Sequence, residues 1–357
     1  MQRPVLIAVR GLDAVGIGRQ VELLASGLAA AGHDVHTVVT TTGGSLPDRL
    51  AATGIPVHRI GRRPVADVAA AAGFTRLAAR LGPATVLSFG RRQAWLAAVA
   101  RIVVPGLRAV AHVAVPAGRP LGWRLRRMDR VVATSPVVAE SCRRLGVDAS
   151  QIATVAPGIV TATPSGLSRA EIARLLGLDP AAEWTLCVTP LVAESRLERL
   201  LWGIDQLGVV RGGMQHVLVG AGPLLSRVWR RARVQELAER LRVVAACPVI
   251  ADLVGAARLV WQPGPVACGG AILDAMALGV PAVAVESDAA RQLIEDRETG
   301  WIVPPLPESE FPRRAFNTLE DPALAARQGA AARARAAQVF PAERMVAGFA
   351  AVLDSLP

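Results

Sequence analysis

VACGGAILDAMALGVP, residues 266–281, decides how the rest of this chain is read. A glycine pair, Gly269 and Gly270, opens an apolar helix that carries one acid, Asp274. Gly279 closes the helix, and Pro281 leads into the hydrophobic strand AVAV at 282–285. Glycines at a helix start leave backbone N–H groups bare where the dipole favours an anion such as a phosphate. Asp274, one turn in, is placed to accept hydrogen bonds from a sugar or ribose hydroxyl. The same pattern fits a buried helix beneath a parallel strand, and this segment alone does not choose between the two.

Outward from that stretch, composition narrows the field. The 357 residues suggest two domains at roughly 150 residues each, and a 52% hydrophobic content supplies a sizeable core. All 40 basic residues are Arg, a pattern of GC-rich coding that also removes any Schiff-base or P-loop lysine. Their distribution is uneven. Residues 1–165 hold 20 Arg and 8 acids, a net of +12, whereas residues 166–357 hold 20 Arg and 21 acids, a net of −1. The first half therefore faces polyanions and the second does not. Cys142, Cys187, Cys247 and Cys268 form no CxxC and sit in apolar contexts, which suits reduced thiols. Met1 to Pro4 run straight into a strand, so a signal peptide is not expected. The longest apolar run, 96–115, is broken by Arg101, Pro105, Arg108 and His112, short of the roughly 20 residues of a membrane span. A cytoplasmic protein is the expectation.

The first strand, 5–9, is followed by GLDAVGIGRQ (11–20) and a helical pattern. Gly16 and Gly18 fit the first two glycines of a dinucleotide GxGxxG, but Val21 occupies the third place. The second strand, 35–40, ends in Thr40 where a ribose-binding acid belongs, which disfavours a dehydrogenase. The loop still sets amides and Arg19 at a helix N-terminus. Strand-like runs recur at 57–60, 84–89, 109–115, 131–134 and 152–155, separated by helices rich in Ala, Leu and Arg. That alternation predicts a parallel doubly wound sheet. Ser135-Pro136 reads as an N-cap and first-turn proline. Residues 157–166 read as a linker. The second half repeats the alternation: strand 184–188, helix 194–204, strand 216–219 into Gly220-Ala221-Gly222-Pro223, and strand 259–262. Between the strands of the first half, GRPLGWRLRRMDR (118–130) mixes Arg119, Arg124, Arg126 and Arg127 with Trp123 and aliphatic residues. It suits either a solvated arginine face or an interfacial segment on anionic lipid.

Taken together, these motifs resemble a family, the GT-B glycosyltransferases of the family 4 type. VGAGPL (219–224) resembles that family's VGxGPL turn, DAMALGVPAVA (274–284) its EAMAxGxPVVA, and IEDRETGWIVPP (294–305) its VEDGxTGxLVPP. GIGRQVELLASGLAAAGHDV (16–35) is similar to its Gly-loop helix, AHVAVP (111–116) to its TxHDxxP, and DRVVATSPVVAE (129–140) to its DxVIAxSExxxx. The resemblance implies two Rossmann-like doubly wound α/β domains facing a cleft: 1–163 on the acceptor side, 164–340 holding the donor, and 341–357 crossing back as a helix. It implies glycosyl transfer from a nucleotide-diphosphate sugar to a glycan or glycolipid, with retention, no metal and no separate cofactor. Polysaccharide or glycolipid synthesis at the inner membrane face would follow, with no nucleic acid partner.

Departure of a nucleoside diphosphate builds charge on phosphate that cations and helix N-termini must meet. The resemblance places an Arg and a Lys after the first strand of the second domain, where this chain has Pro190 and Ser195. Losing one such donor costs roughly 3–4 kcal/mol of transition-state stabilisation. Arg196 or Arg199 would reach the same anion; the alternative is that each is a solvated helix residue. The first of the family's paired glutamates corresponds to Val266, which accepts no hydrogen bond, while Asp274 keeps the second carboxylate. The family's PNGxD reads Ala156-Pro157-Gly158-Ile159-Val160. Backbone amides at Gly16, Gly18, Gly220, Gly222, Gly269 and Gly270 remain as donor contacts. His112 stands where the family's histidine approaches the sugar, or is a strand-end residue bonded to backbone. His33, His36, His58 and His216 read as structural. The reading from another class is a degenerate GT-B scaffold that binds a partner without transfer.

Overall fold

The computed structural model describes residues 3–11, 16–40, 47–60, 68–160, 165–265 and 267–357. It divides into two compact units, Met1–Gly158 with Phe340–Pro357, and Ile159–Val339. The chain thus leaves the first unit at Gly158, within the segment read as a linker.

The first unit is built on seven parallel strands: β1 (Val5–Val9), β2 (Val35–Val39), β3 (Val57–Arg59), β4 (Thr85–Phe89), β5 (Arg108–Val113), β6 (Arg130–Ala133) and β7 (Ile152–Thr154). Their order is β3-β2-β1-β4-β5-β6-β7. Every residue of β1 and β4 is buried because helices cover both faces; β1 reads as a continuous apolar run, and β4 carries Thr85 and Ser88 among apolar residues. Alternation divides the core. Val5, Ile7 and Val9 pack with Leu24, Leu28 and Phe349 on one face, while Leu6 and Ala8 pack with Phe74 and Val86 on the other. The helix Ala342–Asp354 contributes Met345, Phe349 and Val352 to the first of these clusters, so the chain's last segment is part of this core.

Gln20 fastens the exit from the unit. Its buried amide donates to the Gly158 carbonyl at 2.8 Å and accepts from the Gly158 N–H at 2.7 Å. A side chain at Gly158 would lie 2.8 Å from Ala342 Cα, so the last helix and this residue meet backbone to backbone. Leaving either Gly158 group buried and unbonded would cost about 1–3 kcal/mol.

The second unit carries six parallel strands: β8 (Glu183–Val188), β9 (Met214–Val219), β10 (Leu241–Val244), β11 (Leu259–Gln262), β12 (Ala282–Val285) and β13 (Trp301–Val303). Their order is β10-β9-β8-β11-β12-β13. Inside the sheet, Thr185 Oγ1 sits 2.6 Å from His216 Nδ1 and accepts from Trp261 Nε1 at 2.8 Å. This fixes His216 as a structural residue with both neighbours satisfied.

One helix departs from its sequence expectation. The pattern at 194–204 predicts a continuous helix, but Ala193–Ser195 form a 3-10 turn and the helix proper is Leu197–Val210. Arg196 between them is left-handed, φ 52° and ψ 45°. Ser195 Oγ donates to the Pro190 carbonyl at 2.5 Å and accepts from Thr189 Oγ1 at 3.0 Å, drawing the loop into a closed turn that the helix cannot enter smoothly.

Candidate functional site

In a doubly wound sheet, ligands bind beyond the carboxyl ends of the strands where the strand order reverses. The second unit reverses between β8 and β11, the first between β1 and β4. The loops leaving those four strands are therefore the places to examine.

After β11 the chain enters the helix Gly270–Leu278 through three consecutive left-handed residues, Cys268 (φ 51°), Gly269 (φ 78°) and Gly270 (φ 45°). Glycine takes such angles freely, whereas Cys268 is held there at a cost of about 1–3 kcal/mol that the surrounding packing must offset. The Cys268 thiol is buried, which pushes its pKa up to about 12 and leaves it neutral. The helix interior is packed, with Ile272, Leu273, Ala275 and Met276 buried, while Asp274 is half-buried one turn in. Val266 lies outside the described residues.

The loop after β8 faces the opposite way in chemistry. Pro190 is exposed, and Ser195 is buried in the closed turn described above. Gly264, on the β11 loop, lies so close that a side chain there would meet the Glu194 carbonyl at 2.6 Å. The two arginines diverge. Arg196 is exposed. Arg199 donates to the Pro263 carbonyl at 3.3 Å and the Pro305 carbonyl at 3.2 Å, and lies 3.8 Å from Glu308. It ties the β11 loop to the segment after β13. Gln262, at the end of β11, is buried and donates to the Gly264 carbonyl at 2.9 Å.

Gly220 and Gly222 have a different occupation from Gly269 and Gly270. A side chain at Gly220 would lie 2.0 Å from the Thr189 carbonyl oxygen, and one at Gly222 would lie 2.4 Å from that of Leu191. The Leu191 N–H donates to the Ala221 carbonyl at 2.9 Å, closing the two loops against each other. These glycines are needed for the backbone contact itself.

In the first unit, Gly16 caps the helix Ile17–Ala30 with φ 63°, and Gly18 is buried one residue in. Residues 12–15 of that loop lie outside the described residues. Across the switch, Gln93 spans the ends of β1, β2 and β4. With its amide oriented to satisfy both atoms, it accepts from Thr40 Oγ1 at 2.8 Å and Arg10 N at 3.3 Å and donates to the Phe89 carbonyl at 3.2 Å. His112, on β5, is buried between Phe89 (ring centres 4.4 Å apart) and Phe349 (6.0 Å). Burial lowers its pKa to about 3, so the imidazole is neutral. Gln20, Gln93 and Gln262 escape a sequence reading, because glutamine is an ordinary residue in a helix or at a strand end.

The segment 118–130 forms the helix Arg119–Leu125 and a following turn. Arg124 donates to the Arg91 carbonyl at 3.2 Å and Arg126 to the Leu145 carbonyl at 3.1 Å. Arg127 lies over the exposed Trp123 ring at 4.3 Å, and Arg119 is exposed. Arg101 reaches Asp129 at 2.6 Å, drawing up the end of the helix Arg91–Val103, where Ile102 (81%) and Val103 (64%) are open to solvent. Among the described residues no helix is long and apolar enough to cross a membrane.

Two family descriptions match the chain: Glycosyltransferase Family 4 over residues 15–163, and Glycosyl transferases group 1 over residues 184–321. No curated protein gives a match. Among solved structures, HepE from Anabaena in complex with UDP-glucose aligns at 18% identity over 99% of this chain and 100% of its own, with a TM-score of 0.83. Sucrose-phosphate synthase from Thermosynechococcus elongatus aligns at 20% identity over 100% and 99%, with a TM-score of 0.79. A glycosyltransferase from Rickettsia africae aligns at 16% identity over 99% and 98%, also at 0.79. At these identities the structural likeness speaks for the fold.

Proposed function

Because the chain belongs to the GT-B glycosyltransferases of the family 4 and group 1 type, we propose that it moves a sugar from a nucleotide-diphosphate donor to a glycan or lipid-linked acceptor, with retention and without a metal. The observation that carries this reading is the left-handed run Cys268–Gly269–Gly270 opening a helix at the switch point of the second unit. There the helix dipole and the N–H groups of the first turn, beyond the Gly270 N–H that donates to the Ala267 carbonyl at 3.3 Å, meet the diphosphate. Asp274 accepts from the ribose, and the exposed Arg196 supplies a cation that the closed Pro190–Ser195 turn does not. Gly220 and Gly222 support the site by letting the β8 loop close, and Arg199 by holding the β11 loop. His112 stays neutral and orients the sugar by hydrogen bonding, and the Gly16 and Gly18 amides are further donor contacts. Since HepE was crystallised with UDP-glucose, that is the first donor to try.

Isothermal titration with UDP-glucose and other nucleoside-diphosphate sugars is expected to give saturable binding, weakened about tenfold or more by Asp274→Ala, a loss of about 1.4 kcal/mol. No binding of any donor at millimolar concentration overturns the reading. One observation favours a second reading, a scaffold without transfer: both positions expected to hold cations, Pro190 and Ser195, are taken up in a turn bonded to itself. Donor binding without nucleotide release in the presence of a crude acceptor mixture is the outcome that selects it.

The same proposal puts the protein in the cytoplasm, peripheral on the inner membrane face, through Arg119, Arg124, Arg126 and Arg127 beside Trp123. Each arginine near an anionic surface contributes about 1 kcal/mol. In flotation, vesicles containing anionic lipid are expected to carry the protein at low salt. The double variant Arg126→Gln, Arg127→Gln should lose about 2 kcal/mol, roughly thirtyfold. No retention by such vesicles rules the membrane face out.

A further inference from the structure

Arginines gather at the carboxyl edge of the first sheet. Arg10 follows β1, and Arg91 and Arg92 follow β4 after Gly90, so three cations leave the sheet at its switch point. Gln93 joins the two loops, its amide oxygen accepting from the Arg10 N–H at 3.3 Å. Arg124 comes in from the crossover after β5. Its guanidinium donates to the Arg91 carbonyl at 3.2 Å, which uses one of its five N–H donors. Arg10 and Arg91 are exposed, and Arg92 and Arg124 are half-buried. Among the described residues no carboxylate lies within 4 Å of the Arg91 or Arg124 guanidinium.

Folding alone gives no reason for this arrangement. The helix Arg91–Val103 opens with two arginines and no acid in its first turn, and its cap, Gly90, makes no side-chain hydrogen bond. A helix N-terminus disfavours cations, and guanidinium groups brought together repel one another. An oxyanion among them offsets both costs, and the flat guanidinium fork matches phosphate. We propose that Arg91 and Arg124, with Arg10 beside them, hold a phosphate group carried by the acceptor. The phosphate site stands on the arginine cluster; assigning it to the acceptor rests on the transfer reading above. Phe89 pairs with His112 across the sheet, so Arg91 leaves β4 two residues beyond the partner of the ring which that reading sets against the sugar. A phosphorylated glycan and a lipid with a phosphate headgroup share this chemistry.

Inorganic phosphate and glucose 6-phosphate, titrated into the full-length protein and followed by phosphorus NMR and thermal unfolding, test this, with glucose as the uncharged control. Saturable binding of both phosphates with a rise in Tm is expected, and glucose should give neither. Arg91→Gln and Arg124→Gln should each weaken phosphate binding about tenfold or more. Arg91→Gln should also keep or raise the ligand-free Tm, because it takes a cation from the helix start. Arg80→Gln removes the same charge at the exposed end of the helix Val68–Arg80 and should change the affinity less than about twofold. Flotation with phosphatidylglycerol vesicles separates the two sources: retention lost in Arg91→Gln assigns a lipid headgroup, and retention kept assigns a glycan phosphate. UDP-glucose titration keeps the two readings apart. Wild-type protein that binds phosphate but no donor overturns the acceptor assignment along with the transfer reading. Donor binding without saturable phosphate binding, or phosphate binding weakened as much by Arg80→Gln as by Arg91→Gln, overturns the site itself.

Discussion

Gly220→Ala is expected to destabilise the second unit by about 3 kcal/mol or more, a drop in its Tm of roughly 10 °C. The new methyl would stand 2.0 Å from the Thr189 carbonyl oxygen, a backbone atom that no rotamer change can move aside. Relief requires parting the loop after β9 from the loop after β8. That breaks the Leu191 to Ala221 hydrogen bond and the Leu224 to Leu191 bond behind it. The comparison variant is Gly212→Ala, where an added Cβ meets nothing within 4 Å and the change should stay within about 0.5 kcal/mol. Thermal unfolding of the two variants decides the matter. Equal Tm values would mean that the contact is open and that Gly220 is free to line a ligand site.

The same pair of glycines marks where sequence reading stops. GAG at 220–222 and GG at 269–270 look alike in a sequence, each a glycine-rich turn before a helix. In space one is filled by the chain's own backbone and the other is a left-handed entry into a buried helix. Periodicity carries the hydrophobic pattern but says nothing about which backbone will pass beside which. The strands were legible for the opposite reason. Central strands of a sheet covered on both faces are buried at every position and mostly apolar, so β1 and β12 stand out as unbroken runs, and β4 and β11 as runs broken only by Thr85, Ser88 and Gln262. β10, at the sheet's edge, includes the exposed Arg242 and does not read as a strand. β13 was hidden inside a stretch read only as a motif.

The break at Arg196 was illegible for a tertiary reason. Glu194 to Ile204 has helix-forming composition, and local propensity alone carries the helix through. What stops it is the Ser195 hydroxyl reaching back to the Pro190 carbonyl, and the close passage of Gly264. That matters for chemistry as well. Serine at 195 is small enough to turn inward and satisfy itself, whereas a long cationic side chain would have to turn out toward an anion. The inward turn of Ser195 and the closing of the loop are one event, and Arg196 follows it in a left-handed conformation with its side chain exposed.

Acid should weaken both units, the first chiefly through His112 and the second through His216. His112 in the first unit and His216 in the second both have pKa values lowered by burial from 6.5 to about 3. For His216 the charge of Arg240 adds to the effect. In each case the folded pKa lies below the unfolded one, so the unfolded chain binds more protons between these limits. The stabilisation is complete above pH 6.5 and is lost as pH falls toward 3, by about 1.4 kcal/mol per pH unit per histidine. At pH 5 each unit should be weaker than at neutral pH by about 2 kcal/mol from this source. Urea unfolding at a series of pH values should show that slope, and His216→Gln should flatten it for the second unit alone, His112→Gln for the first alone. The slope is the quantity to compare, since either substitution also shifts stability at every pH. An unaltered slope in both variants would mean that neither ring is held neutral. The consequence reaches the site: an imidazole that resists protonation so strongly has no positive charge to offer a phosphate near neutral pH. Under the proposed transfer His112 would serve only as a neutral hydrogen-bonding group beside Phe89 and Phe349, and the charge on a leaving diphosphate would fall to the helix entry at Gly269–Gly270 and to Arg196.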